Sequence, residues 1–104
     1  MKQAVVVMTI MIAFVPDLAH GGELEAYGRR LVEANCAQCH AIGLEGASAH
    51  LDAPALRDLS GRYPIDALEE AFAEGIYVGH PDMPEFEATP EQIDAILAYI
   101  QSIW

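Results

Sequence analysis

The chain has 104 residues and a formal net charge of −11, with 16 acidic against 5 basic side chains. That length fits one small domain. A surface this acidic repels nucleic acid and anionic lipid, which excludes both as primary partners.

The first segment reads as a targeting signal. Met1-Lys2 gives a short positive start, Ala4 to Val15 is almost wholly apolar, and the small-residue pattern Ala19-His20-Gly21 follows. This is the layout of a secretory signal peptide. Cleavage is expected after Gly21, with Ala19 the second choice, so 1–21 is the signal and 22–104 the domain. An uncleaved anchor is the alternative. A spanning helix needs about 20 apolar residues, and this run is shorter. No stable membrane anchor is expected after cleavage. Export places the chain in an oxidising space, where thiols are usually paired or modified. The basic side chains left would be Arg29, Arg30, Arg57 and Arg62, with no lysine.

Glu23 to about Asn35 is expected to be an amphipathic helix, because Leu24, Tyr27, Leu31 and Val32 share one face. Gly28 lies inside it. An interior glycine costs about 1 kcal/mol against alanine, a cost that close approach by another helix would offset.

Both cysteines of the chain lie in Cys36-Ala37-Gln38-Cys39-His40. This C-x-x-C-H run is the attachment pattern of a c-type haem. Two thiols at this spacing can form thioethers with the two vinyl groups of one porphyrin. The adjacent histidine can then donate an imidazole nitrogen to the iron. The alternatives are a plain disulfide, a redox-active dithiol or a zinc site. A thioredoxin-like dithiol wants a βαβ pattern, and no strand alternation surrounds the motif. Zinc wants four ligands, and the motif supplies three. So small a domain also gains from a large apolar plate to pack against.

Residues 41–53 read as an irregular loop. Pro54 can start a short helix through Leu56 to Leu59, ended by Ser60-Gly61. A further helix is expected over Asp66 to Glu74, with Asp66 as N-cap, a face of Ala67, Leu68, Ala71 and Phe72, and Gly75 as the stop. The last helix starts with Thr89 as N-cap, Pro90 at the first position and Gln92 completing a capping box. Its apolar stripe is Ile93, Ile96, Leu97, Ile100 and Ile103. The expected fold is all-α, with about four helices.

Opposite His40, the iron could take Met83, the sole methionine beyond the signal. It lies in Gly79-His80-Pro81-Asp82-Met83-Pro84, where flanking prolines restrict the backbone. A thioether ligand favours reduced iron and raises the potential. His80 is the chief competitor, since two imidazoles would give a lower potential. His50 comes next, although a hydrogen bond tying its own loop to the backbone is the simpler role. His20 is expected to be lost or left at a flexible terminus.

With these residues in place, the chain resembles the class I c-type cytochromes, particularly small bacterial monohaem members, over residues 23–104. Gly28 matches the glycine where the first and last helices of that family cross. Ala98-Tyr99-Ile100 resembles the last helix there, with Tyr99 as the packing aromatic. The resemblance implies a cytochrome c fold wrapped around one covalently attached haem c. It implies that Pro54 accepts a hydrogen bond from His40 through its carbonyl, that Leu56 packs against the ring, and that the run from Glu74 to Pro84 delivers the axial methionine. His50 matches a loop-fixing histidine in some members. The short stretch from Ser60 to Ile65 lacks the family's longer loop with a tryptophan that holds a propionate. Arg62 and Tyr63 are the candidates in its place, with Tyr77 a weaker one. The lysine ring that many members use for docking is absent too.

The function this implies is one-electron transfer in the periplasm, without substrate chemistry in the chain itself. Donors would be a periplasmic dehydrogenase or a bc1-type complex, and the acceptor a terminal oxidase. The acidic surface suits redox partners with a basic docking patch. Alternatives are a haem c subunit of a periplasmic dehydrogenase complex, or a ligand-binding or peroxidatic haem protein. The oligomeric state is left open.

Overall fold

The computed structural model describes residues 2–11, 18–75 and 80–104, and the side chains among these from Gly21 onward in the first helix. The described residues form three α-helices and one 3-10 helix: α1, Leu18–Asn35; the 3-10 helix, Leu56–Gly61; α2, Ile65–Ala73; and α3, Pro90–Ser102. Among the described residues there is no extended strand, so the fold is all-α as expected. No described helix is long and apolar enough to cross a membrane.

The α3 boundaries follow from purely local chemistry. The Thr89 hydroxyl accepts from the Gln92 amide at 3.3 Å, and the Gln92 side chain accepts from the Thr89 amide at 3.0 Å. Two otherwise orphaned donors are satisfied reciprocally. All five stripe residues, Ile93, Ile96, Leu97, Ile100 and Ile103, are buried. They join Val32 of α1, Leu56 of the 3-10 helix, Phe72 of α2 and Tyr99 in one continuous core.

Two helix starts differ from expectation. Helix α2 begins at Ile65, and Pro64 rather than Asp66 is its N-cap. The extended Pro64 turns its carbonyl toward the helix, where the Ala67 and Leu68 amides donate to it at 3.1 and 3.3 Å. Asp66 falls in the first turn, where a carboxylate favours the positive helix end. Gly75 ends the segment with φ +82, a left-handed conformation that glycine adopts freely. Helix α1 begins at Leu18, five residues before the expected Glu23, and runs through Gly21 and Gly22. Of the expected stripe, Tyr27, Leu31 and Val32 face the core while Leu24 is exposed, so apolar periodicity gives no signal for the residues ahead of it.

Helix α3 packs mainly on α1 and secondarily on α2. The α1 contact is close at one place. A Cβ added to Gly28 would overlap the Ala95 carbonyl and lie 3.0 Å from the Tyr99 Cβ. The crossing therefore uses Ala95 and Tyr99. Ala98, expected there, is half-buried. Tyr99 therefore packs where expected, and Ala95, nearly one turn before Ala98, makes the closest approach.

Gly28→Ala should destabilise the folded chain by about 3 kcal/mol, the upper range for overpacking, despite the gain in helix propensity. Urea unfolding of the parent and variant measures it.

Candidate functional site

The end of α1 leads directly into the cysteine motif. Asn35 folds back to donate to the Leu31 carbonyl at 2.8 Å. The Cys36 and Ala37 amides both donate to Val32, at 2.8 and 3.2 Å. The Cys39 and His40 amides then donate to the Cys36 carbonyl, at 3.2 and 2.9 Å. These bonds wind Cys36 to His40 into tight turns. Cys36 and Cys39 are half-buried free thiols, and His40 is half-buried beside them.

The imidazole of His40 is oriented by the loop that follows. Its Nδ1 lies 2.6 Å from the Pro54 carbonyl oxygen. A carbonyl can only accept, so Nδ1 carries the proton and donates. The lone pair is left on Nε2, as a metal-ligating imidazole requires. The Leu56 amide donates to the Ala41 carbonyl at 2.9 Å, pinning the segment after Pro54 to the residue after His40. Leu56 itself is buried in the core.

The electrostatics of Cys36 argue against its serving as a reactive thiolate. Burial pushes the Cys36 thiol up to about 11. Redox-active C-x-x-C pairs instead hold one thiol below its ordinary value, to supply thiolate. A half-buried thiol, an imidazole whose Nδ1 is engaged by a carbonyl so that Nε2 faces away, and a second thiol one turn away are a donor set suited to covalent haem attachment and axial ligation.

The remaining candidates fall in two groups. Met83 is half-buried, with its amide donating to the His80 carbonyl at 3.2 Å. His50 and His80 lie edge to face, with ring centroids 5.3 Å apart. His50 contacts Asp82, and the hydrogen bond between them holds the Asp82 carboxyl below its ordinary value. That contribution to stability is present above the usual carboxylate range and fades as pH falls through the lowered value. His50 also accepts from its own loop, at the Asp52 amide, so it ties more than the one expected contact. Arg62 and Tyr63 stand apart. Both are exposed, and their side chains make no hydrogen bond among the described residues. Tyr77 lies outside the described residues, as do Ile76 to Gly79 of the run ahead of Met83 and the segment 12–17 of the expected signal.

Several supporting contacts are not foreseen from the sequence. Arg57 holds the loop after His40 by donating to the Gly46 carbonyl at 2.6 Å and to that of Gly43 at 3.4 Å. Ser48 accepts from the Ala41 amide at 2.9 Å. The Tyr99 hydroxyl donates to the Ile42 carbonyl, and the Trp104 indole donates to the Leu56 carbonyl at 3.2 Å. The polar tip of Tyr99 is the available signal, since a buried aromatic with a polar handle needs a partner. Tyr99→Phe should cost about 1 kcal/mol, the usual net worth of such a bond, measured by urea unfolding.

Comparison with known proteins agrees with this geometry. The chain matches the cytochrome c family over residues 25–104. It is similar to a cytochrome c-553-like protein of Synechocystis, 30% identical over 76 residues. That match covers 73% of this chain and 66% of the relative, just short of two thirds of its length. No solved structure matches the chain significantly. The glycine crossing, the C-x-x-C-H turn and the all-α core together place this chain in the cytochrome c family, as a class I c-type cytochrome.

Proposed function

We propose that the chain is a periplasmic one-electron carrier, holding a single haem c through Cys36 and Cys39 with His40 and Met83 as the axial ligands. The observation that carries this reading is the His40–Pro54 hydrogen bond. It fixes an imidazole with a free Nε2 directly beside two unpaired thiols. Bound haem supplies a reversible ferric/ferrous couple whose potential the axial ligands tune.

The chain's own residues hold that group and limit rearrangement. Pro54 orients His40, and its hydrogen bond raises the basicity of the ligating nitrogen. Leu56 packs beside the ring and helps exclude water. Met83 would supply the second ligand, a neutral thioether, which favours reduced iron. Arg62 and Tyr63 remain the candidates for the propionates. Their exposure suits groups at a solvent-facing edge, since a guanidinium and a phenol can both donate to a carboxylate. The chain performs no substrate chemistry of its own in this reading.

The signal-like residues 1–21 support export, with 22–104 as the mature domain. The charge of −11, with only four arginines beyond that segment, supports docking to redox proteins through a basic patch. The salt dependence of electron exchange is the corresponding observable. A dehydrogenase that co-purifies with the chain would identify it instead as an enzyme subunit. A resting high-spin spectrum would favour a ligand-binding or peroxidatic haem protein.

Purified from an exporting host, the protein should be coloured, with a mass equal to residues 22–104 plus one haem. Cys36→Ser and Cys39→Ser should each leave at most one thioether and lower the holoprotein yield, read by mass and haem absorbance. Met83→Ala should lower the potential by about 0.1 V or more, a fraction of the range that axial ligation spans, and should open the iron to carbon monoxide. An unchanged potential would remove Met83 from the site.

A further inference from the structure

The chain carries the triplet His-x-Asp twice, as His50-Leu51-Asp52 after the cysteine motif and as His80-Pro81-Asp82 directly before Met83. The two triplets make the same contacts. Within each, the aspartate amide donates to the histidine Nδ1, at 3.1 Å for Asp52 to His50 and 3.2 Å for Asp82 to His80. Between them, His50 Nε2 lies 2.9 Å from the Asp82 carboxylate, and His80 Nε2 lies 3.1 Å from that of Asp52. Each Nδ1 accepts a backbone proton, so each Nε2 carries a proton and donates to the opposite carboxylate. The four bonds close a cycle that runs in one donor direction.

The donor atoms of His50, Asp52 and His80 lie within 4.8 Å of one another, a spacing that a divalent cation could also take. The backbone argues against a cation. An imidazole that ligates through Nε2 donates from Nδ1, and here both Nδ1 atoms face amide N–H donors. A cation at either Nε2 would set N–H against N–H.

The cycle joins the two sides of the proposed iron site. The His50 amide donates to the Cys39 carbonyl at 3.1 Å, and the Ala53 amide donates to the His50 carbonyl at 3.2 Å, just ahead of Pro54. On the other side, the Met83 amide donates to the His80 carbonyl at 3.2 Å. We propose that the two His-x-Asp triplets are a reciprocal clasp that holds the Met83 loop against the His40 side, making His50, Asp52, His80 and Asp82 positioning residues for the sixth ligand. This rests on Met83 being that ligand. The clasp sets the ratio of closed to open loop, and so how often an external ligand reaches the iron. It also assigns His80 a role that competes with iron ligation, because its Nε2 is engaged by Asp52.

The test is imidazole binding to the ferric holoprotein, with the near-infrared methionine–iron band as a second readout. Asp52→Ala and Asp82→Ala should each raise imidazole affinity about two- to tenfold, the range for one lost hydrogen bond. In a closed cycle either cut loosens both arms, so the double variant should fall short of the product of the singles. Asp52→Asn and Asp82→Asn retain a carbonyl acceptor and should stay within about twofold of the parent, as a hydrogen-bonded clasp requires. Met83→Ala marks the fully open limit. If Met83→Ala raises the affinity while both alanine clasp variants match the parent, the clasp proposal is overturned. Zinc that lowers imidazole affinity in the parent but not in Asp52→Ala would overturn it in favour of a cation site. If Met83→Ala changes neither affinity nor band, the ligand reading fails separately. The clasp then stands or falls on hydrogen exchange at the Met83 amide, which both alanine variants must accelerate.

Discussion

The close crossing of α1 and α3 is the constraint from which the site follows. Gly28 lets the Ala95 carbonyl approach the α1 backbone, so the two longest helices meet without a side chain between them. That contact fixes the course of α1, which ends at Asn35, directly before Cys36. It also places Tyr99, buried on α3, where its hydroxyl reaches the Ile42 carbonyl just beyond His40. One helix therefore delivers the thiols, and the other secures the chain on their far side. A glycine with no chemistry of its own determines the position of the residues that have it.

From that crossing onward, backbone hydrogen bonds organise the site more than apolar burial does. Val32 receives Cys36, Cys36 receives His40, and Ala41 receives Leu56. Arg57 and Ser48 add side-chain ties to the same loop. A domain this small has limited surface to bury. A loop without regular structure must satisfy its polar groups by such local bonds or leave them to water. The outcome is an imidazole whose tautomer is set by Pro54, a residue fourteen positions away in the chain.

Features were legible in the sequence to the extent that their causes are local. Helix α3 was read to the residue at its start, because Thr89, Pro90 and Gln92 act within one turn. The buried stripe of α3 and the glycine stop at Gly75 follow from periodicity and backbone freedom alone. Helix α2 was misplaced by one residue because a carbonyl, not a side chain, caps it. The crossing is legible at Gly28 and at Tyr99, whereas Ala95, whose carbonyl makes the closest approach, carries no side-chain signal of its own. The cysteines and His40 were visible as a motif, whereas the partners of His50 and His80 lie 32 and 28 positions away. Those pairings depend on how two irregular loops are folded back, which neither propensity nor periodicity encodes.

The paired loops also bear on how a small acidic domain can hold a redox centre steady. Electron transfer is fastest when oxidised and reduced forms differ little in structure, so in the proposed carrier both sides of the centre need support. The His40 side is held by the cysteine turn and by Pro54, all connected to α1. The Met83 loop is bounded by two prolines and, among the described residues, has no regular element of its own before α3. Four exposed to half-buried polar side chains link it to the better-held side. Each such bond is modest on its own in water-facing positions. Closing them in a ring makes ordering one arm favour the other, so weak contacts can act together where no apolar core is available.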